Sequence, residues 1–169
     1  MAKSRQAQTQ LLHGTCVVVG GCGVLILGPP GSGKSDLALR LIDQPGRGIG
    51  ADTMTARLVA DDQVAITRHD ERLFAAPPPR LAGLIEVRGL GVVRTDHAPD
   101  AELRLAVRLT VTSRIERLPE AGDNLVLLGV SLPQIDIDAS AASASARLRA
   151  AVIEISRQPS VTPAKAGAS

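Results

Sequence analysis

The sequence predicts an α/β domain with mixed sheets and few helices, organised around a phosphate-binding loop. Residues 28–35 read GPPGSGKS and lie between an apolar run at 24–27 and a helix-forming segment. Short runs rich in Val, Leu and Ile recur between glycines and prolines, which is typical of strands. Because 169 residues suffice for one core but not for a second catalytic domain, we predict a single domain.

The first predicted element is a β-hairpin that leads into the loop. Its arms are the β-rich runs at 15–19 and 23–27, joined by Gly20 and Gly21. A helix at 36–42 follows the loop and ends before Pro45. The apolar face of this helix consists of Leu37, Leu39, Leu41 and Ile42.

The middle of the chain predicts a loop and then a second hairpin. Residues 46–56 show no clear periodicity and indicate a connecting loop. An apolar strand at 58–60 ends in two aspartates, and residues 64–67 form its predicted return arm. A stiff, proline-rich turn is predicted at 75–79.

The last part of the chain predicts further strands and one helix. Residues 84–87 indicate a strand, and residues 125–130 and 135–137 indicate two more. Alternation at Leu105, Val107, Leu109 and Val111 predicts a strand with one buried face. Helical spacing of apolar residues predicts an amphipathic helix at 144–157, with an apolar face of Leu148, Ala151, Val152 and Ile155.

These elements predict a catalytic domain at 11–157, between a flexible extension at 1–10 and a disordered tail at 158–169. The tail is rich in small and polar residues, which cannot bury a core.

Composition argues against several classes of partner. Phe74 is the only aromatic residue, so the bases of single-stranded nucleic acid find no stacking platform. Nineteen basic and 17 acidic residues give a formal net charge of +2, without a basic run suited to duplex DNA or an anionic membrane. No signal peptide or bilayer-spanning stretch of ~20 apolar residues occurs, so we expect a cytoplasmic protein with neither nucleic acid nor membrane as a partner.

The two cysteines, Cys16 and Cys22, could face each other across the first hairpin. Because thiols in a reducing cytosol usually stay free, we predict two small buried apolar residues rather than a disulfide.

The phosphate loop carries the strongest functional signal. Its residues Gly28, Pro29, Pro30, Gly31, Ser32 and Gly33 can turn backbone N–H groups toward a phosphate chain, at the positive end of the following helix. Lys34 can reach the β- and γ-phosphates, and Ser35 can place its hydroxyl on Mg²⁺. The loop therefore predicts a nucleotide site with ATP and Mg²⁺ as cofactors.

Asp61 and Asp62 end an apolar strand, where many phosphate-loop enzymes place an acid beside Mg²⁺ or the attacking group. Successive side chains of a strand point to opposite faces, so one acid can face the cleft while the other supports it from behind. The alternative is an ordinary turn between two strands.

Glu86 and His13 are further candidates. Glu86 is a lone acid in an apolar strand, and a buried carboxylate needs a cation, either Mg²⁺ or an arginine such as Arg88. His13 precedes the first strand of the hairpin and could equally be an ordinary surface histidine.

Several sequence strings occur in a specific order: HG at 13–14, GCGVLILG at 21–28, the phosphate loop, VADD at 59–62 and IEVRGLG at 85–91. In this order they resemble the catalytic domain of HPr kinase/phosphorylase, the bacterial enzyme that phosphorylates a serine of the phosphocarrier HPr. The string IEVRGLG looks like the signature of that family. The resemblance implies a phosphate-loop kinase fold of the HPr kinase/PEP carboxykinase type.

The resemblance also implies roles for individual residues. Asp62 would take the proton of the attacking serine hydroxyl and Asp61 would support it, although the reverse assignment stays open. Ser35 and Glu86 would hold Mg²⁺, and Lys34 would neutralise the β- and γ-phosphates. Three further residues match family positions: His13 an active-site histidine, Arg117 a catalytic arginine, and Arg147 the arginine of a P-G-R-N string. The implied partners are HPr or an HPr-like phosphocarrier, and the implied assembly is a homo-oligomer of six copies.

Departures from the family pattern modify these expectations. The chain resembles a short form without the N-terminal domain of longer members. The P-G-R-N string, associated with dephosphorylation, reads SARL at 145–148. Leu148 cannot make the hydrogen bonds of an asparagine, and Ala146 does not adopt the conformations open to glycine without strain. We therefore predict kinase activity with weak or absent phosphorylase activity.

Two other functions fit the same loop. One is a small-molecule kinase, but the segment 68–80 is short and broken by prolines where such an enzyme needs an arginine-rich lid. The other is a regulatory module that senses ATP without catalysis.

Overall fold

The computed structural model describes residues 7–118 and 123–158 of the chain. Within these ranges the chain forms eleven strands and two α-helices. In chain order they are β1 (Thr9–His13), β2 (Thr15–Val19), β3 (Cys22–Leu27), α1 (Lys34–Asp43), β4 (Ala56–Ala60), β5 (Gln63–His69), β6 (Arg72–Ala76), β7 (Leu84–Val87), β8 (Gly91–Arg94), β9 (Ala101–Leu109), β10 (Asn124–Leu127), β11 (Val130–Ile137) and α2 (Ala144–Ser156).

Nine strands form one mixed sheet, and β7 and β8 pair separately. The main path runs β1-β5-β6-β9-β3-β2-β4, with β11 joining β9 to β10. Strand β9 is central, because it pairs antiparallel with β6 near its start and parallel with β11 near its end. It also lies parallel to β3, with Leu25 opposite Ala106. The observed mixed sheet with few helices confirms the predicted fold class.

Strands β3, β4, β9 and β11 of the large sheet run in the same direction. Strands β3 and β11 run parallel to β9, while β3 and β4 both run antiparallel to β2, which lies between them. Their C-terminal ends therefore meet at one edge of the sheet, where ligand sites of α/β proteins commonly form. The segments that leave this edge are the phosphate loop, the aspartate pair, residues 110–114 and residues 138–140.

The core consists of two apolar clusters on opposite faces of the central strands. Alternate side chains of these strands, such as Leu25 and Ile26, enter different clusters. Both α-helices cover one cluster through Leu37, Leu41, Leu148 and Val152. Strands β5 and β6 cover the other. Burial from both sides holds β3 rigidly at the start of the phosphate loop.

Several predicted elements are confirmed. The hairpin of β2 and β3 forms with Val17 opposite Val24, and the phosphate loop leads directly into α1. The strand predicted at 84–87 is β7. Helix α2 buries Leu148 and Val152, with Ala151 and Ile155 packed against the same cluster.

The second predicted hairpin is wrong. Strand β4 pairs with β2, whereas β5 pairs with β1 and β6. The backbone of Asp62 has φ +68°, and this left-handed residue redirects the chain from one layer of the core to the other. The true hairpin partner, β6, includes Ala75 and Ala76 of the predicted turn.

Two other strand predictions need correction. Strand β9 buries Leu105, Val107 and Leu109 in one apolar cluster, but Ala106 on its other face is buried in the second cluster, and Val111 lies beyond its end and is 54% exposed. The strand predicted at 125–130 is a hairpin, in which Leu128 and Gly129 have positive φ and separate β10 from β11. Sequence patterning also missed strands β1, β6 and β8.

The predicted extension at 1–10 overlaps β1 at Thr9 and Gln10. Residues 1–6 of this extension and residues 159–169 of the predicted tail lie outside the described residues. Neither α-helix in the described part combines the length and apolar character needed to cross a bilayer.

Cys16 and Cys22 are free and buried, as predicted. They do not face each other, because Cys16 pairs in register with Leu25 and Cys22 with Val19, and the two thiols enter different apolar clusters. Burial raises the pKa of Cys22 to about 11 and that of Cys16 further.

Candidate functional site

The phosphate loop connects β3 to the N-terminus of α1. Gly33 caps this helix with φ +97°, a backbone conformation that residues with a side chain rarely adopt. A Cβ atom on Gly28 would lie 2.5 Å from the Ser32 hydroxyl, so the closed loop requires glycine there. The Ser32 hydroxyl is buried and has no hydrogen-bond partner within the described chain. Together with the helix N-terminus, these features fit a nucleotide's phosphate oxygens.

Lys34 is directed back over the loop. Its side chain is buried, and its Nζ donates hydrogen bonds to the carbonyl oxygens of Gly28 at 2.7 Å and Pro29 at 3.1 Å. Burial lowers the pKa of Lys34, whereas the carboxylates of Asp61 and Asp62 act in the opposite direction. Both acids are therefore close enough to influence the ammonium group.

Asp61 lies at the centre of a buried hydrogen-bond network. Its Oδ1 accepts hydrogen bonds from the hydroxyls of Thr15 and Ser35, both at 2.8 Å, and its Oδ2 accepts one from the Glu86 amide at 3.0 Å. Its exposed fraction is only 4%. Asp61 thus lies behind Ser35, and its role as the supporting acid stays a prediction.

Asp62 points the other way, into solvent. Its side chain is 63% exposed, and its Oδ1 lies 3.4 Å from His13 Nδ1. Its backbone oxygen accepts a hydrogen bond from the Gly14 amide at 3.1 Å, which ties the β4–β5 connection to the β1–β2 bend. The structure thus brings His13 and Asp62 together at the surface beside the buried Asp61.

The expectation that Glu86 is buried is wrong. Strand β7 packs against α1 through its buried Ile85, so the adjacent Glu86 points outward. Arg88 is also exposed, and no salt bridge joins it to Glu86 in the described structure. Glu86 therefore needs no cation to offset burial. Its backbone amide connects it to the site by donating a hydrogen bond to Asp61.

A cavity of about 1000 Å³ adjoins the phosphate loop at the same edge of the sheet. We call it the loop cavity; it is lined by residues 27–32, 108–111, 114, 136 and 138–140. Arg108 braces one side through paired bonds to Asp136 at 2.7 and 2.9 Å. Asp138 accepts four hydrogen bonds, from the amides and hydroxyls of Thr112 and Ser140, which hold its pKa far below the usual range.

The arginine predicted to be catalytic, Arg117, does not line the loop cavity. Arg114 contributes to the cavity wall, whereas Arg117 is exposed and is not among the lining residues. The short 3₁₀ turn Thr112–Arg114, anchored through Asp138, brings Arg114 to this position. Arg114 is therefore a site residue that sequence reasoning did not identify.

The SARL string lies in the first turns of α2, away from an open site. Arg147 is exposed, while Leu148 is fully buried in the apolar core. The next residue, Arg149, is 5% exposed and donates hydrogen bonds to the Leu41 and Gln44 carbonyl oxygens at the end of α1.

No group of three or more His, Cys, Asp and Glu side chains suited to a metal occurs in residues 7–118 and 123–158. Ser35 nevertheless fits a cation that arrives with the phosphates, because its hydroxyl hydrogen is directed to Asp61 and its oxygen lone pairs remain available. Ser35 is thus a side chain of the phosphate loop that could hold Mg²⁺.

Two missed residues carried detectable signals. Thr15 is a polar residue at the start of an otherwise apolar strand, TCVVV, the first arm of the hairpin. Asp138 stands two residues before Ser140, which is the pattern of an aspartate that bonds the backbone ahead of it.

Comparison with known proteins identifies relatives of this chain. Residues 4–165 match the family described as HPr Serine kinase C-terminal domain. The HPr kinase/phosphorylase of Limosilactobacillus reuteri is 33% identical over 144 residues, which cover 79% of this chain and 42% of that protein. The enzyme of the same name from Streptococcus gordonii is 34% identical over 145 residues, covering 79% and 43%.

A solved structure supports the fold. The Hpr(Ser) kinase/phosphatase of Coxiella burnetii superposes with a TM-score of 0.70 at 24% identity, covering 86% of this chain and 95% of that one. The matched region is less than half the length of the relatives named above. The family match spans nearly the whole sequence, and the chain therefore belongs to the HPr Serine kinase C-terminal domain family.

Proposed function

We propose that this protein is an ATP- and Mg²⁺-dependent serine kinase that acts on HPr or an HPr-like phosphocarrier. The proposal rests on the different environments of the two adjacent aspartates. Asp61 is buried and bound to Ser35, whereas Asp62 is exposed beside His13, where an incoming protein hydroxyl can reach it. The relatives named HPr kinase/phosphorylase supply the substrate class.

The chain's own residues account for most of what phosphoryl transfer requires, namely a positioned nucleophile, a proton acceptor and concentrated positive charge. Lys34 and the helix N-terminus neutralise phosphate oxygens, and Asp62 accepts the hydroxyl proton. His13 lies against Asp62 and orients its carboxylate. Ser35 would hold Mg²⁺, and the metal would supply further positive charge to the phosphates; Glu86 as a second ligand stays a prediction from the sequence.

The loop cavity takes the rest of the nucleotide in this proposal. It adjoins residues 28–32, and its Arg114 is the cation available to contact the donor. The assignment of Arg117 as the catalytic arginine stays a prediction, as do the supporting roles of Arg88 and Arg147. A cytoplasmic location and a hexameric assembly also stay predictions from the sequence.

One experiment tests the proposal against its alternatives. The protein is incubated with γ-labelled ATP, Mg²⁺ and HPr from the same cell, and the label is located by mass spectrometry. We expect phosphoserine on HPr, its loss on chelation of Mg²⁺, and its loss in Asp62→Asn. Nucleotide binding without transfer would favour the regulatory module, and label on a small molecule of the extract would favour the small-molecule kinase.

A further inference from the structure

We propose that Thr15 is a positioning residue of this site, which orients Asp61 so that Ser35 presents its oxygen to the metal. Thr15 has no exposed surface, and its hydroxyl donates to Asp61 Oδ1 at 2.8 Å. The inference rests on the proposed function, because it assigns Thr15 a part in binding the metal–nucleotide complex.

The geometry around Asp61 explains why a second hydroxyl matters. Asp61 Oδ1 accepts from both Thr15 and Ser35, and Oδ2 accepts from the Glu86 amide. Together these donors, from β2, α1 and β7, set the rotation of the carboxylate. Without the Thr15 hydroxyl, the carboxylate keeps only the Ser35 and Glu86 donors of these three, so its rotation about the Cβ–Cγ bond is less restrained and the acceptor of the Ser35 hydrogen bond is less firmly fixed.

The orientation of Ser35 decides how it meets a cation. When its hydrogen points to Asp61, its lone pairs are available to Mg²⁺; when the hydroxyl rotates freely, the hydrogen competes for the same direction. Thr15 never touches the nucleotide in this arrangement. Its effect should therefore appear in the metal-dependent part of nucleotide affinity and not in the part that exists without metal.

The test uses calorimetric titration of ADP with and without Mg²⁺. In Thr15→Val, which keeps the shape of the side chain but removes the donor, we expect the gain in affinity due to Mg²⁺ to fall about tenfold, the scale of one hydrogen bond to a charged group. Affinity for ADP alone should stay unchanged. Thr15→Ser keeps the hydroxyl and should retain the wild-type gain.

Thr67→Val is the matched control. Thr67 lies on β5 and shares a hydroxyl contact of 3.5 Å with Thr9, so the same chemical change there should leave the Mg²⁺ effect intact. If Thr15→Val fails to fold, Thr15→Ala and Thr15→Ser provide the comparison, since both lack the γ-methyl group and only serine keeps the donor. An equal Mg²⁺ effect in these two proteins would overturn the proposal.

A measurement without nucleotide separates this inference from the proposed function. The Glu86 amide bonds the same carboxylate, so its hydrogen exchange, followed by NMR, should be about tenfold faster in Thr15→Val than in Thr15→Ser. Equal exchange would refute the positioning role even if the kinase activity is real. Failure of the wild-type protein to bind nucleotide would refute the proposed function and leave this exchange result to decide the role of Thr15.

Discussion

Asp61 and Asp62 are consecutive in the sequence but occupy opposite environments. Asp61 is 4% exposed and accepts three hydrogen bonds, whereas the Asp62 side chain is 63% exposed and lies beside His13. A carboxylate that already accepts three hydrogen bonds is poorly placed to take a substrate proton. The geometry therefore favours Asp62 as the base and Asp61 as the organiser of the site.

Substitution of each aspartate by asparagine should separate these roles. In Asp62→Asn we expect transfer to HPr to fall at least ~100-fold, the usual contribution of a general base, while nucleotide affinity stays within about twofold. In Asp61→Asn the amide group faces donors from Ser35 and Glu86, so nucleotide affinity in Mg²⁺ and the free energy of unfolding should both fall, the latter by about 2 kcal/mol. Titration with ADP and urea unfolding measure these quantities, and an inactive Asp61→Asn with normal binding and stability would reverse the assignment.

Lys34 is expected to favour nucleotide binding without stabilising the ligand-free protein. It is buried, burial lowers its pKa, and its hydrogen bonds go to loop carbonyls instead of an acid. Lys34→Met should lower nucleotide affinity at least ~100-fold, because the phosphates lose their cation, without lowering the thermal midpoint of the ligand-free protein. Arg47→Met, at an exposed position just after the same helix, is a control for loss of one positive charge. A large drop in the Lys34→Met midpoint would show that the lysine supports the fold.

The residues that sequence could identify were those in strings with a chemical reason for their spacing. The phosphate loop, the aspartate pair and Glu86 follow this pattern, and the structure places all three at one edge of the sheet. The exposure of Glu86 was missed because an apolar strand does not reveal which of its faces has a covering layer. Thr15 and Arg114 depend on contacts between distant segments, which no local pattern records.

Helix α1 is held at both ends by groups from elsewhere in the chain. Its N-terminus begins in the phosphate loop, and its C-terminal carbonyls accept hydrogen bonds from the buried guanidinium of Arg149 on α2. A Cβ atom on Gly46 would lie 2.7 Å from the Arg149 Nη1, so the connection after α1 is also shaped around this side chain. Arg149 therefore fastens the helix that carries Lys34 and Ser35.

Removal of the Arg149 guanidinium should loosen α1. Arg149→Met is expected to lower the free energy of unfolding by about 3 kcal/mol, since two carbonyls lose a charged donor, as measured by urea titration. Arg147→Met is the matched control on the same helix, because Arg147 is exposed and should change stability by less than about 0.5 kcal/mol. Similar losses in both proteins would mean that the contacts of Arg149 contribute nothing specific.

At the level of elements, those with strong local sequence patterns were predicted correctly, whereas the pairing of strands β4 and β5 was not. The hairpin before the loop and both helices have short-range causes, namely a glycine turn and helical periodicity. Strands β4 and β5 both contain apolar runs, but a positive φ at Asp62 directs β5 to β1 and β6 instead of back along β4. The turn is favoured because β5 then packs in the second apolar cluster, a tertiary contact that the local sequence does not show.

At the scale of the whole molecule, the candidate site lies where strands β3, β4, β9 and β11 end. The phosphate loop, the aspartate pair, the Arg114 turn and residues 138–140 come from distant parts of the chain and meet because β3, β4, β9 and β11 share a direction. This organisation explains how a chain that matches only 42% of a longer relative can contain the loop, the acids and the cavity together.

The SARL string supplies the last prediction, which concerns the reverse reaction. Leu148 occupies the position expected for the asparagine of P-G-R-N, and it is fully buried in the apolar core and does not line the loop cavity. We therefore expect turnover of phosphoserine-HPr with inorganic phosphate to be at least about tenfold slower than the forward reaction. Leu148→Asn should not restore it, because an amide in this apolar cluster costs about 3 kcal/mol of stability and still cannot reach the site. Equal forward and reverse rates in the wild-type protein, measured by release of unmodified HPr, would contradict the prediction and show that dephosphorylation does not need the asparagine.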